Sequence, residues 1–213
     1  MKTDDLVTML ATGAGAVQPN QAARRYAAGV GAGALGAALL MAILLGPRHD
    51  FAAAIMLPMF WVKTAFVSSF AAASMFAAWR LSRPGLSLAW VPRVLGAPVI
   101  AIWLLAAAVL IRADAAQRSA SFFGDTWNSC PFLIAMLSAP VFVAVVWVMR
   151  GLAPTRLRLA GAATGLLSGA IGTMVYSVHC PEMAAPFIGF WYLLGMLIPT
   201  AVGTLLGPRL LRW

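Results

Sequence analysis

Six long apolar segments constrain this chain more than any other feature of its sequence. They cover residues 26–46, 57–79, 94–111, 131–149, 159–178 and 187–206. At a rise of about 1.5 Å per residue, an α-helix of each length crosses the hydrocarbon core of a bilayer. Barrel strands are shorter and alternate apolar with polar residues, so the segments predict helices. The expected fold is all-α, a bundle of six transmembrane helices.

Composition excludes a soluble domain. Hydrophobic residues make up 62% of the 213 positions and charged residues 10%, whereas a soluble globular domain has about 25% charged residues. The net charge of +9 could indicate a nucleic-acid partner in a soluble protein. In a membrane protein it reports topology instead, so the bilayer is the expected partner and direct nucleic-acid binding is not expected.

The distribution of basic residues predicts the orientation. With the amino terminus in the cytoplasm, eleven Lys and Arg residues lie inside and three, Arg48, Arg112 and Arg118, lie outside. This bias predicts that both termini are cytoplasmic. The expected division is a cytoplasmic arm (1–25), the transmembrane domain (26–206) and a cytoplasmic tail (207–213). The acidic start of the chain is unlike a signal peptide.

Glycines spaced four residues apart predict close helix packing. Gly161, Gly165 and Gly169 share one face of the fifth segment, and Gly29 and Gly33 share a face of the first. Small residues let helix backbones approach in a membrane. Packing within the bundle is the favoured interpretation, and homo-oligomer formation stays open.

Both cysteines precede a proline. Cys130 opens the fourth segment, and Cys180 follows the fifth between His179 and Glu182, so both thiols are expected at the outer membrane face. Three outcomes are open: a disulfide, a soft-metal site assisted by His179 or Glu182, or two inert buried thiols. We expect no resident cofactor, with at most transient metal binding at this pair.

Lys63 is a single charge inside a segment, about 9 Å below the outer end of the second helix. Intramembrane charges are costly and usually paired. Asp50, Asp125 or Glu182 could reach Lys63, which predicts an ion pair at the outer rim. The alternative is that Lys63 couples this rim to the helices below.

The amino-terminal arm predicts a short amphipathic helix. Thr3 is placed to cap it, and Asp4 and Asp5 suit its first turn. Leu6, Met9 and Leu10 then share one apolar face, with Val7 beside them. Residues 11–21, rich in Ala and Gly, predict a flexible tether. The helix binds a partner or rests on the membrane.

Signatures of enzymes are missing from the sequence. It contains no P-loop, no GxSxG and no HExxH, and only two histidines, His49 and His179. We therefore expect a non-enzymatic protein. A membrane thiol oxidoreductase and a small metal exporter remain the alternatives, although the chain has no Cys-x-x-Cys and no metal ligands in mid-membrane.

Several short motifs resemble a known family over nearly the whole chain. They are the opening MKTDDL (1–6), FWVK (60–63), Trp127 followed by Cys130, HCPE (179–182), WYLLG (191–195) and the ending GPRLLRW (207–213). In their order and spacing they resemble the NrsF-like polytopic membrane anti-sigma factors of bacteria.

The resemblance implies an inner-membrane protein that holds an extracytoplasmic-function sigma factor inactive until an envelope signal arrives. In that family two outer-face cysteines are linked to sensing heavy metals or oxidants, and they match Cys130 and Cys180. The arm, with Thr3, Asp4, Asp5, Leu6, Met9 and Leu10, is the expected sigma-binding element. Cytoplasmic loops around Arg83 and Arg156 are expected to contribute.

Overall fold

The computed structural model of the chain describes residues 3–13, 20–82 and 88–212. These residues form helices and connecting segments, without strands. The helices are α1 (Thr3–Gly13), α2 (Gln21–Leu44), α3 (Phe51–Ala54), α4 (Pro58–Leu81), α5 (Val91–Arg112), α6 (Ala115–Phe123), α7 (Cys130–Arg150), α8 (Leu157–Tyr176) and α9 (Ala185–Leu210). Within α9, Ile188–Tyr192 forms a π-helical turn.

Six of these helices, α2, α4, α5, α7, α8 and α9, are long and apolar enough to span a membrane. The all-α prediction is confirmed, and each predicted segment overlaps one helix to within a few residues at either end. Large apolar side chains such as Ile43, Phe132 and Leu205 are more than two-thirds exposed. Such a surface suits lipid, since soluble proteins rarely expose large contiguous apolar patches.

Helix α8 lies at the centre of the bundle and contacts α2, α4, α7 and α9. Its many small residues allow these close contacts. At Gly165, for example, the backbones of α8 and α9 come so close that an added Cβ would overlap the carbonyl oxygen of Pro199. A Cβ on Gly169 would likewise lie 2.8 Å from the carbonyl oxygen of Met196. The glycine face predicted from spacing therefore packs within the chain.

The glycine face of α2 packs in the same way, but against α7. A Cβ on Gly33 would meet the backbone of Val141, and one on Gly29 would meet the Val148 side chain. The order of these contacts shows that α2 and α7 are antiparallel. The glycine faces of α8 and α2, which could have packed between two copies of the chain, thus pack against other helices of the same chain.

Successive long helices alternate in direction, which gives the bundle two chemically different ends. We call the end where α2, α5 and α8 begin the basic end, because nine of the arginines in the described residues lie there. They are Arg24, Arg25, Arg80, Arg93, Arg150, Arg156, Arg158, Arg209 and Arg212. The opposite end, where α7 and α9 begin, holds Cys130 and is called the cysteine end.

The arm is more helical than predicted. Helix α1 begins at Thr3, with Asp4 and Asp5 in its first turn, and continues to Gly13. The proposed tether of residues 11–21 is therefore wrong at its start, where the Thr12 hydroxyl donates to the Thr8 carbonyl at 2.9 Å. Residues 14–19 of the proposed tether lie outside the described residues, and its last residue, Gln21, is already the first residue of α2. At the other terminus α9 continues four residues beyond the predicted limit of 206.

Candidate functional site at the cysteine end

The two cysteines lie in one cluster. Cys130 is the first residue of α7, Cys180 lies in the segment between α8 and α9, and both are free thiols with no exposed surface. Tyr176, at the end of α8, belongs to the same buried cluster, and its carbonyl accepts a hydrogen bond from the Cys180 backbone N–H at 3.0 Å. The two cysteines therefore lie in one buried cluster, and a sensing role for them stays a prediction.

Residues 177–184 leave the helical conformation between α8 and α9. Outside a helix, the buried carbonyl groups of this segment need other hydrogen-bond donors. Lys63 Nζ donates to the carbonyls of Cys180 at 3.2 Å and Glu182 at 3.3 Å. Arg48 also donates to the Cys180 carbonyl, at 3.4 Å. Two basic side chains thus hold the cysteine-bearing segment in place.

Lys63 is completely buried, and its environment differs from the one predicted. The ion pair expected with Asp50, Asp125 or Glu182 is wrong, since Nζ binds backbone carbonyls instead. It also lies 5.5 Å from the centre of the Tyr192 ring and 6.0 Å from that of Phe60. Carbonyl oxygens and aromatic ring faces are both attractive partners for a buried ammonium group.

The acids expected to pair with Lys63 have other partners. Asp50 binds Arg48 through two hydrogen bonds of 2.6 Å. This contact lowers the pKa of the Asp50 carboxyl below its ordinary value and raises the pKa of Arg48. Both residues lie in the connection between α2 and α3, outside the spans.

Glu182 caps the connection that leads into α7. Its Oε1 accepts a hydrogen bond from the Asp125 backbone N–H at 2.8 Å and one from the Thr126 hydroxyl at 3.4 Å. A Cβ on Gly124, which has a positive φ of 57°, would collide with this carboxylate. Glu182 therefore ties the Cys180 segment to the loop before Cys130.

His179 ties the same segment to α2. Its Nδ1 lies 2.8 Å from the carbonyl oxygen of Gly46, just after α2 ends. The Arg48 backbone N–H also donates to the Val178 carbonyl, at 3.2 Å. His179 and Glu182 were predicted as signal-sensing residues that assist a metal. The structure shows a hydrogen-bonding contact for each of them, and the sensing role stays a prediction.

Tyr192 is a residue of this cluster that sequence reasoning missed. Its hydroxyl is buried beside Cys180 and reaches no described donor or acceptor at hydrogen-bond geometry. The π-helical turn in α9 that carries Tyr192 is a feature often found at functional sites. Two sequence signals could have placed the tyrosines in this cluster. Tyr176 lies four residues before Cys180, and Tyr192 lies within the WYLLG motif.

Aromatic side chains join this cluster to the loop before α7. Trp191 Nε1 donates to the Phe122 carbonyl at the end of α6, at 2.8 Å. The rings of Phe122, Trp127 and Trp191 are in edge or tilted contact. Cys130 and Cys180 are thus flanked by elements linked through both polar and aromatic contacts.

The ligands available for a metal are few. No group of three or more His, Cys, Asp and Glu side chains that could hold a metal occurs in residues 3–13, 20–82 and 88–212. The thiols of Cys130 and Cys180 are the soft donors of the cluster. They suit a soft ion of low coordination number better than zinc, which takes four ligands in structural sites.

The predicted partner-binding residues lie apart from this cluster. Every side chain from Thr3 to Thr12 in α1 is exposed, including Leu6, Met9 and Leu10. Arg156, expected to contribute, precedes α8 at the basic end and is exposed, while Arg83 lies outside the described residues. The chain thus carries a thiol cluster at one end and an exposed apolar helix on its amino-terminal arm.

Six helices long and apolar enough to span a membrane, a buried thiol cluster and a short exposed helix define a class of all-helical proteins. The sequence profile described as NrsF, negative regulator of sigma F, matches residues 10–213. The probable anti-sigma-F factor NrsF of Azospira oryzae is 63% identical over 213 residues, covering 100% of both chains. The anti-sigma-F factor NrsF of Caulobacter vibrioides is 38% identical over 217 residues, also covering both chains completely.

The chain therefore belongs to the NrsF family of negative regulators of sigma F, which confirms the resemblance drawn from its motifs. No solved structure matches it.

Proposed function

We propose that this protein is an anti-sigma factor of the bacterial inner membrane. It binds an extracytoplasmic-function sigma factor at the cytoplasmic face and releases it when an envelope signal reaches the cysteine end. The observation that carries the proposal is the exposed apolar helix α1, in a chain whose full-length relatives are named anti-sigma-F factors. Sequestration needs no chemistry at the binding surface, so the proposed role is non-enzymatic.

The proposed topology places the basic end in the cytoplasm. Nine arginines of the described residues lie at this end, against Arg48, Arg112 and Arg118 at the other. Cytoplasmic segments of membrane proteins collect Lys and Arg in this way. Both termini, and α1 with them, are then cytoplasmic, while Cys130 and Cys180 lie at the outer face.

The proposed contact with the sigma factor is α1. Leu6, Met9 and Leu10 lie at i, i+3 and i+4, the spacing with which amphipathic helices fill apolar grooves. Asp4 and Asp5 add negative charge at the helix start, which suits the basic surface that a sigma factor presents to DNA. Thr3 begins the helix, and the α8 connection near Arg156 supplies further contacts.

The proposed signal acts on the two thiols. A two-electron oxidant removes two protons and two electrons and leaves a Cys130–Cys180 disulfide. A soft metal ion instead displaces both thiol protons and binds the two sulfurs. Either change repositions Cys180, whose carbonyl is held by Lys63 of α4 and by Arg48.

Lys63 is proposed to couple this change to the bundle. Helix α4 extends from Lys63 near the cysteine end to Leu81 at the basic end and packs along α8. A displacement of the Cys180 carbonyl alters two hydrogen bonds of Lys63 and hence the position of α4. Release requires that the two thiol states differ in their affinity for the sigma factor.

A pull-down from bacterial membranes tests the proposal. The intact chain is compared with a variant lacking residues 1–25 and with Leu6→Ala/Leu10→Ala, and bound proteins are identified by mass spectrometry. Thr8→Ala is the matched control, since Thr8 lies on α1 and its hydroxyl bonds only to the Asp4 carbonyl within the helix. We expect a sigma factor with the intact chain and the control alone. Equal recovery with all four would contradict binding through α1, and no sigma factor in any sample would contradict the function.

A further inference from the structure

A cavity at the basic end is lined by the first turns of α2 and the last turn of α7. Its volume is about 770 Å³. Its lining includes two exposed arginines and several apolar residues, namely Arg25, Arg150, Trp147, Val148 and Leu152. Trp147 is 76% exposed. The cavity thus combines positive charge with apolar surface at the end that we place in the cytoplasm.

We infer that this cavity is a docking site for the protein's own helix α1, which binds there in competition with the sigma factor. The chemistry of the two surfaces is complementary. Asp4 and Asp5 open α1 with negative charge, and Arg25 and Arg150 border the cavity with positive charge. The inference rests on the proposed function, because it assigns α1 a second partner.

The apolar parts of the two surfaces also match. Leu6, Met9 and Leu10 are exposed on one face of α1, and the cavity offers Trp147, Val148 and Leu152. Docking removes the exposed apolar surface of the helix from water, which favours the contact. A three-turn helix is marginal alone and gains stability from such a contact.

The chain length between α1 and α2 keeps α1 near this cavity. Seven residues separate Gly13 from Gln21, and even a fully extended chain of this length reaches only about 25 Å. Gln21, where α2 begins, itself lines the cavity. A tether this short gives α1 an effective concentration on the order of millimolar at the cavity. Weak intrinsic affinity is therefore enough for competition with a sigma factor.

Helix α7 connects this cavity with the thiol cluster. It begins at Cys130 and ends at Arg150, and Trp147 and Val148 lie in its last turn. A change at the thiols that shifts α7 along its axis therefore also changes the shape of the cavity. Capture of α1 by the altered cavity removes the sigma-binding helix and so releases the sigma factor.

Cross-linking of the full-length protein in lipid nanodiscs tests the inference. Cysteines are introduced by Leu10→Cys and Leu152→Cys and joined with a short bismaleimide. This reagent neither oxidises nor metallates the native thiols. The matched control pairs Leu10→Cys with Val94→Cys, since Val94 is 39% exposed in the first turn of α5 at the same end. We expect the Leu152 pair to cross-link at least roughly fivefold faster than the Val94 pair.

Two additions complete the test. Arg25→Glu/Arg150→Glu should lower the cross-linking yield of the Leu152 pair to the yield of the Val94 pair. Adding the sigma factor that co-purifies with the intact chain should also lower the yield of the Leu152 pair. If the Leu152 pair cross-links with the same yield as the Val94 pair, the inference is overturned. It is also overturned if phosphatidylglycerol lowers the yield of the Leu152 pair while Arg25→Glu/Arg150→Glu does not. Cross-linking measured without the sigma factor tests whether α1 docks in the cavity, whatever α1 does with the sigma factor. Failure of the sigma factor to bind α1 is scored separately, in the pull-down.

Discussion

At the scale of single residues, the cysteine end is organised around Lys63 rather than around a carboxylate. A buried ammonium group needs several partners, and Lys63 has two carbonyls and two aromatic rings around it. The carbonyls belong to the segment that carries Cys180. The cost of burying the charge is thus offset by contacts that also fix the position of a thiol.

Removing the Lys63 ammonium should loosen this segment. Lys63→Gln leaves the Cys180 and Glu182 carbonyls short of donors, and an unsatisfied buried carbonyl costs about 1–3 kcal/mol. Hydrogen exchange of the amides of Val178, His179 and Cys180, which bond back to α8, should accelerate roughly 5- to 150-fold.

Thr64→Val is the control for this change, because the Thr64 hydroxyl donates to the Phe60 carbonyl of its own helix, α4. It should leave exchange in the segment unchanged. Equal exchange in Lys63→Gln and the wild-type protein would show that Lys63 does not hold the Cys180 segment.

The Arg48–Asp50 pair gives a prediction for pH. Because Arg48 lowers the pKa of the Asp50 carboxyl, the pair stabilises the connection above the unfolded-state pKa of about 3.9. That contribution is lost as the pH falls through the lower, folded-state pKa. The connection should therefore be insensitive to pH between about 5 and 8. In Arg48→Gln the pKa of the Asp50 carboxyl, measured by carbon-13 NMR, should rise toward about 3.9. An unchanged pKa would contradict the role of Arg48.

The sequence predicted which residues lie at the cysteine end, but it did not predict which groups they contact. Cys130, Cys180 and Lys63 were singled out because thiols and a lone charge are conspicuous in an apolar chain. The carbonyl partners of Lys63 could not be predicted, since they exist only where residues 177–184 leave the helix. The position of Tyr192 depends on a π-helical turn, which hydropathy does not register.

At the scale of elements, helix pairs are defined by backbone contact rather than by large side chains. Gly165 and Gly169 of α8 meet the backbone of α9, and Gly33 of α2 meets that of α7. Four-residue spacing predicted these faces because it places small residues on one side of a helix. It could not predict the partner helix, which depends on how all six helices assemble.

A methyl group at the α8–α9 contact should destabilise the bundle. Gly165→Ala places a Cβ against the Pro199 carbonyl and forces the two helices apart. Overpacking of this kind costs about 1–3 kcal/mol. Gly96→Ala in α5 is the control, because its Cβ would meet nothing within 4 Å. Thermal unfolding in detergent should show a lower midpoint for Gly165→Ala alone, and equal midpoints would refute tight packing at this contact.

At the scale of the whole molecule, the two ends have different chemistry and are proposed to face different compartments. Lengths and hydropathy predicted the six long helices to within about five residues at either end, since a bilayer crossing requires about 20 apolar residues. The short helices α3 and α6 were not predicted, because each lies within a connector that hydropathy does not assign.

Labelling with a membrane-impermeant maleimide tests this topology. Gln117→Cys lies on the exposed α6 at the cysteine end, and Thr12→Cys lies on α1. In intact spheroplasts Gln117→Cys should be labelled, and Thr12→Cys only after the membrane is permeabilised. The native cysteines are buried, so the unsubstituted protein is the background control. The reverse pattern would invert the proposed orientation.

The most direct test of the account measures sigma-factor affinity with and without the signal. The full-length protein in nanodiscs is titrated with the co-purifying sigma factor before and after treatment with a thiol oxidant or a soft metal ion, alongside Cys130→Ser/Cys180→Ser. We predict that treatment weakens binding at least about tenfold, or 1.4 kcal/mol, in the native protein and leaves the double variant unchanged. Equal weakening in both proteins, or none in the native protein, would contradict the claim that the thiol pair controls the sigma factor.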